Sequence, residues 1–333
     1  MSSPPGLLGR REECLPCCSV LCGAGSRNTG WRVLTAPTGR SEATGNDSVP
    51  MHGEEQEWTL VIKPRGRWFD LRLRELWGGR ELVWLFFRRD FVALYKQTIL
   101  GPLWYLIQPL LTTIVFTVVF GRIANLPTNG LPQFLFYMSG TVVWTYFATS
   151  LTKTSATFLT NAQIFGKVYF SRLTVPLSIV LSNLVAFAIQ FLLFVGFDAY
   201  FAIKGADVHV TIWALLLPAL VCIMAGLGLG LGIIVSALTT KYRDLQYLVT
   251  FGVQLLMYTT PMVIPLSSVT GKWRWIMVAN PMTSIMEAFR RGFLGSGTVS
   301  APMLLYSVGF ALVAVVLGAV LFHRVERTFM DTV

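Results

Sequence analysis

Long apolar runs alternate along the chain with short connectors rich in basic and aromatic residues. Six runs read as membrane spans: residues 100–120, 131–151, 176–201, 211–238, 247–264 and 302–322. Each is near the length of about 20 residues that a helix needs to cross a hydrocarbon core of about 30 Å. A seventh apolar stretch, WIMVANPMTSIMEAFRRGFL at 275–294, differs. It holds Asn280-Pro281 and then Glu287, Arg290 and Arg291. Each such charge at mid-bilayer costs about 3 kcal/mol on insertion scales, which excludes a simple lipid-facing span. The pattern predicts a re-entrant pair of outer helices between spans five and six, shielded by protein, where broken backbone is tolerated.

Before the first span, residues 71–98 predict an amphipathic helix or pair of helices. Leu82, Leu85, Phe86 and Arg89 recur at helical spacing, and Trp84, Phe87 and Phe91 add aromatic bulk. A basic, aromatic helix beside a span lies in the membrane interface. A plain lipid anchor is the other reading. The fold class is therefore an all-α polytopic membrane protein with six transmembrane helices and an N-terminal interface helix on the cytosolic side.

Composition agrees: the 333 residues are 53% hydrophobic and only 13% charged. A soluble domain carries about 25% charged residues. The net charge of +10 raises a nucleic-acid reading, but its placement argues otherwise. Nine cations lie between Lys63 and Lys96, just ahead of span one. With the N-terminus inside, the inner segments from Met51 onward hold sixteen Lys and Arg and the outer segments six. That bias places both termini in the cytoplasm and meets anionic lipid heads rather than nucleic acid.

The chain divides accordingly. Residues 1–50 read as a disordered leader, an extension from an upstream start, with Met51 beginning a more ordinary N-terminus. Residues 51–99 form a cytosolic segment with the interface helix, 100–323 the six-span domain, and 324–333 a cytosolic tail. Cys14, Cys17, Cys18 and Cys22 crowd the leader. Their C-x-x-C spacing suits zinc, yet no second ligand pair follows, so no metal is expected. No apolar core precedes a cleavage site, which excludes a signal peptide.

The spans hold almost no ionisable groups. Asp198 lies near the outer end of span three. Ion-coupled transporters place titratable groups near the midplane, so ion coupling is disfavoured. A phosphate-cradling G-x-x-x-x-G-K-[ST] loop is absent as well: Gly166-Lys167 precedes Val168, and Gly271-Lys272 precedes Trp273. A pumping role then needs a motor on another chain, reached through a cytoplasmic connection. One such connection is LTNAQIFGKVYFSRLTVP, 159–176. As a helix it places Ile164, Phe165, Val168 and Tyr169 on one face and Lys167 and Arg172 on the other. Gly166 lowers helix propensity but allows close approach. The second connection, TTKYRDLQY at 239–247, is its counterpart and holds Lys241, Tyr242, Arg243 and Asp244. Two readings stand on physics alone: docking into a partner's groove, or resting on lipid headgroups.

Four ordered stretches carry a family resemblance: RRDFVALYKQTILGPLWYLIQPLL (88–111), FGKVYFSRLTVP, TTKYRDLQYLV and ANPMTSIMEAFRRGFL. Together they resemble the membrane subunits of type-two ABC exporters for polysaccharides and teichoic acids, the Wzm, KpsM and TagG permeases. The resemblance runs from about residue 73 to 329. It implies two copies of this chain with two ATP-binding-cassette ATPase subunits, which carry the ATP and magnesium; this chain binds no cofactor. It implies that Ile164, Phe165, Gly166, Lys167 and Tyr169 form a coupling helix on the ATPase. It also implies that 272–294 form paired outer helices near a channel exit, with Asn280, Pro281, Glu287, Arg290 and Arg291 as gate residues.

The implied cargo is a polysaccharide on a polyprenyl diphosphate, of O-antigen, galactan or teichoic-acid type, crossing the bacterial inner membrane. Trp104, Tyr105, Phe116, Tyr137 and Trp144 are candidate channel aromatics; lipid-facing bulk and interfacial belts are the plainer reading. Arg88, Arg89 and Lys96, near the cytosolic mouth, suit a diphosphate or ordinary headgroups. The run AGLGLGLG at 225–232 lacks a nucleotide-binding setting and instead offers small-xxx-small pairs, Gly226 with Gly230 and Gly228 with Gly232. Pro261 and Pro265 are expected to break the outer end of span five, and Cys222 to be an apolar packing residue. Two rivals remain: a permease for drugs or lipids, and a membrane transferase. The transferase lacks a constellation, since His52, His209 and His323 are scattered.

Overall fold

A computed structural model describes residues 79–96, 100–161, 171–239, 242 and 244–329. Every regular element among them is helical. Helix α1 is Arg80–Lys96, within the amphipathic stretch. Val83 and Phe86 face inward, while Trp84 and Leu85 stay exposed. The Trp84, Phe87 and Phe91 rings stack in series.

A 3-10 turn, Gly101–Leu103, leads into α2, Trp104–Phe116. The expected first span begins four residues late, after Gly101 takes φ +47° before Pro102. Pro109 sits inside α2. Thr112 and Thr113 return their hydroxyls to the carbonyls of Gln108 and Pro109. The helix then widens into a π segment, Thr117–Ile123. Such widened turns appear mostly as local bulges within helices. Gly121 lets Gln133 lie close, its Nε2 donating to the Gly121 carbonyl at 3.0 Å; a Cβ there would stand 2.6 Å from Gln133 Oε1 and push that side chain aside.

Helix α3, Gln133–Ser155, is the hub. Its core residues from Leu135 to Phe147 are almost wholly buried. A one-turn helix α4, Thr157–Thr160, follows, then α5, Thr174–Ile203. A 3-10 turn at Ile212–Leu216 opens α6, Leu217–Thr239. Helix α7 is Leu245–Tyr258. As expected from Pro261 and Pro265, it gives way to turns. Helices α8, Lys272–Ala279, and α9, Pro281–Phe293, meet at Asn280, and α10 is Ala301–Phe329.

Among the described residues, four helical stretches are long and apolar enough to cross a membrane: Trp104–Ile123, Thr174–Ile203, Ile212–Thr239 and Ala301–Phe322. The chain is thus a multi-pass membrane protein. Helix α3 is long enough, but Ser139, Thr141, Thr145, Thr149, Ser150 and Thr154 dilute its apolar character. A helix wrapped by other helices has little need of a lipid-compatible surface, and α3 packs against α2, α5, α6, α7 and α9. Helix α7 is too short to cross alone, about 21 Å at 1.5 Å per residue.

Contacts fix the directions. Phe134 rests on Phe197 at 4.9 Å, while Lys153 donates to Asn183 Oδ1 at 3.1 Å, so α3 and α5 run antiparallel. The glycine run of α6 splits into two stripes. Gly228 and Gly232 face Ser150 and Thr154 of α3, where a Cβ would approach within 2.9 and 2.6 Å. Gly230 faces the α10 backbone, where a Cβ would lie 2.6 Å from Ala314 and Val315. Glycines two apart thus serve two helices, which run parallel to α6. Packing without a hydrophobic drive between helices depends on such close approach. Phe86, Phe158, Val175, Ile233 and Phe322 form one cluster, so α1 and the end of α10 lie at the same end of the bundle. Cys222, read as an apolar packing residue, is exposed.

Candidate functional site

At the end of the bundle away from α1, a buried charged knot holds α9 in place. Arg290 is 2% exposed. Its Nε donates to Ser139 Oγ at 3.1 Å and its Nη2 to the Phe136 carbonyl at 3.3 Å. Further N–H groups reach the carbonyls of Pro261 and Met262. The guanidinium carbon lies 3.7 Å from the centre of the Phe136 ring. One side chain therefore ties α9 to the first turns of α3 and to the loop after α7. The close approach needs Gly140, whose Cβ would meet Met262 at 3.0 Å and Arg290 at 3.2 Å.

Glu287, one turn earlier, lies 3.9 Å from Arg290. It accepts from the Thr298 backbone N–H at 2.8 Å and from the Thr298 hydroxyl at 3.3 Å. Arg291 turns outward from the knot, donating to the Val299 carbonyl at 3.1 Å and lying over the Trp213 ring. Asn280 caps α9: its side chain accepts from Met282 N–H at 3.0 Å and donates to Thr260 Oγ1 at 2.9 Å. Pro281 stands at the first helical position, where its missing N–H costs nothing. Of the five residues expected at an outer gate, Asn280, Pro281, Glu287 and Arg290 lie together here, shielded by protein, while Arg291 turns away to Val299 and Trp213.

Towards the opposite end, α2, α3 and α5 enclose a cavity of about 320 Å³. Trp104, Tyr105, Gln108 and Thr112 line one wall, Thr145, Thr149 and Lys153 a second, and Asn183, Phe187 and Gln190 a third. Each set is a stripe at three- to four-residue spacing, which is how helices present one face. Lys153 bonds Asn183 Oδ1, and Asn183 donates to Ser150 Oγ at 3.3 Å. Gln190 is 3% exposed, yet its Oε1 has no hydrogen-bond partner.

The remaining expected residues are dispersed. Of the aromatics, Trp104 and Tyr105 line the cavity, while Tyr137 and Trp144 are buried in the core. Phe116 packs edge-on against Phe120 and Tyr137. Arg88 and Arg89 are exposed on α1, where Arg89 pairs with Asp90 at 2.9 Å, and Lys96 closes that helix. Tyr242 and Asp244 are exposed just before α7. Ile164, Phe165, Gly166, Lys167, Tyr169, Lys241 and Arg243 lie outside the described residues, as does the cysteine-bearing leader. Sequence reasoning missed Asn183 and Gln190. Their signal was available: polar residues seven apart in an otherwise apolar helix, with Asp198 eight further on, share one face.

The description "ABC-2 type transporter" matches residues 81–294. The O-antigen export system permease protein RfbA of Klebsiella pneumoniae is 27% identical over 256 residues, covering 75% of this chain and 94% of the relative. The protein of the same name from Myxococcus xanthus is 26% identical over 264 residues, 78% of this chain and 98% of the relative.

Proposed function

Because the chain belongs to the ABC-2 type transporter family, we propose that it is the transmembrane subunit of an ATP-driven exporter of polyprenyl-diphosphate-linked polysaccharide. The observation that carries this reading is the alignment with O-antigen export permeases over 94% to 98% of their lengths. The glycan is of O-antigen, galactan or teichoic-acid type and leaves the cytoplasm across the inner membrane.

On this reading six segments cross, the four apolar helices joined by α3 and by α7 with its following turns. Both termini are cytoplasmic, α1 lies in the inner interface, and α8 with α9 re-enters from outside. Arg88, Arg89 and Lys96 receive the diphosphate. A second copy of this chain covers α7, which has no buried residue and exposes Tyr247, Leu248, Phe251 and Leu255. Two ATPase subunits supply the drive and hold ATP and magnesium. They dock on residues 164–169, with Lys241, Tyr242, Arg243 and Asp244 beside them.

The test uses the full chain with its ATPase in sealed vesicles. ATP-dependent transfer of lipid-linked glycan is the expected result, and Phe165→Asp abolishes it and releases the ATPase. ATP-driven efflux of drugs or phospholipid without glycan transfer overturns the cargo. Normal transfer and co-purification in the variant overturn the docking.

A further inference from the structure

The cavity among α2, α3 and α5 combines groups that neither an acyl chain nor a bare anion satisfies. Trp104, Tyr105 and Phe187 present aromatic faces. Lys153 has three protons and gives one to Asn183. Thr112 and Thr149 donate their protons to their own helix, so their oxygens face the cavity as acceptors. Gln190 Oε1 is an acceptor, buried and without a partner. An acyl chain leaves that acceptor unpaired, which is costly at a buried site. A phosphate satisfies the remaining protons of Lys153 but brings further acceptors to face Gln190 Oε1 and the threonine oxygens. A hydroxylated ring does neither: it donates O–H to Gln190 and the threonines, accepts from Lys153, and lays its C–H face on an aromatic ring.

Size and access point the same way. At about 320 Å³ the cavity is at the small end of ligand pockets, which run from about 300 to 1,000 Å³, so it holds one ring rather than a chain. Its outer wall, α2, buries only Pro109 and Thr113, and Trp104 is half exposed. A ring carried on a lipid thus reaches it sideways from the membrane. We infer that this cavity is a binding site for a single sugar ring of the lipid-linked cargo, recognised through Gln190, Lys153 and the flanking aromatics. The inference rests on the glycan reading above and names where that glycan is held.

The test is photolabelling of the full chain in phosphatidylcholine nanodiscs. Three probes carry the same diazirine at the same end of a dodecyl chain: a dodecyl galactoside and a dodecyl phosphocholine, with the headgroup at that end, and dodecane without one. The galactoside is expected to label peptides spanning 104–112 and 183–190 at least tenfold more than the others. Gln190→Leu is expected to cut this labelling at least fivefold while melting no lower than the parent, because it removes an unpaired polar atom. Equal labelling by phosphocholine assigns the cavity to ordinary headgroups and overturns the site. Equal labelling by dodecane, unchanged labelling in Gln190→Leu, or a lowered melting temperature does the same. Glycan transfer is measured in parallel with the ATPase present. Galactoside labelling without transfer sinks the exporter reading and leaves the site; transfer without selective labelling leaves the exporter and sinks the site.

Discussion

Replacing Arg290 by methionine tests whether the knot holds α9 as argued. The guanidinium makes four hydrogen bonds, to Ser139 and to the carbonyls of Phe136, Pro261 and Met262. Charge-assisted bonds are worth about 1.5–3 kcal/mol each, so the gross loss is about 6–12 kcal/mol. Two of the four are long, at 3.3 and 3.4 Å, which favours the lower part of that range. Removing the cation also relieves its desolvation, several kcal/mol per buried ion. Against that relief, Glu287 is left buried with its cation gone. The balance is a destabilisation of about 3–5 kcal/mol, the size seen when one partner of a buried pair is removed. Arg290→Lys restores the charge but not the planar fork that reaches several acceptors, so it recovers only part. Adding Glu287→Gln to Arg290→Met removes the stranded charge, and a coupling of about 0.5–3 kcal/mol should appear in the cycle. Unfolding in micelles, followed by circular dichroism against denaturant, reads these differences. A loss below about 1 kcal/mol for Arg290→Met, or strict additivity in the cycle, refutes the knot as a load on the fold.

Two further substitutions test the packing. Gly230→Leu drives a side chain into the Ala314–Val315 backbone and should cost about 1–3 kcal/mol or more by overpacking, while Gly226→Ala, with 3.7 Å to its nearest neighbour, should be near neutral. Thermal unfolding of both variants checks this, and equal effects would refute the close approach of the α6 and α10 backbones at Gly230. Asn280→Ala removes the cap of α9 and the bond to Thr260, at a cost of about 0.5–2 kcal/mol; Asn280→Asp keeps the cap and should lose less.

The runs of apolar residues made most helices legible, because lipid-facing surfaces must be apolar along their length. The run at 131–151 read as a span like the others, although much of the constraint on α3 is internal packing against its neighbours. The break between α8 and α9 was legible from Asn280-Pro281, a cap residue followed by the proline that suits a first helical turn. The expected span five ran to 264, whereas helix stops at Tyr258, before the prolines themselves. The sequence pattern flagged Glu287 and Arg290 as charges needing shelter. Their partners were illegible, because Ser139, Pro261 and Thr298 are distant in sequence and three of the acceptors of Arg290 are backbone carbonyls, which every residue has. The α2–α3–α5 cavity was hidden for a related reason: each wall contributes one weak stripe, and only their convergence is distinctive.

Helix α3 brings these two sites into one physical frame. Near its start, Phe136 and Ser139 receive an arginine whose polar groups are matched, so that end resists movement. Towards its other end, Thr149 and Lys153 face a cavity where Gln190 is unmatched. An unsatisfied buried acceptor lowers stability by about 1–3 kcal/mol, a cost that a donating partner relieves. Ligand binding supplies one, because a ring that pairs with Gln190 stabilises the packed arrangement of α2, α3 and α5 over any that opens the cavity. Binding at that end then changes how α2 is held, while the knot keeps α3 fixed against α9. An exporter needs this asymmetry: a rigid helix to react against, and a loosely held neighbour that responds to cargo. Weakening the knot should therefore loosen both ends of α3 together, whereas filling the cavity with Gln190→Leu should affect α2 alone. Hydrogen exchange along α2 and α9 in the two variants separates these outcomes, and protection changing in parallel in both would count against α3 as a fixed strut.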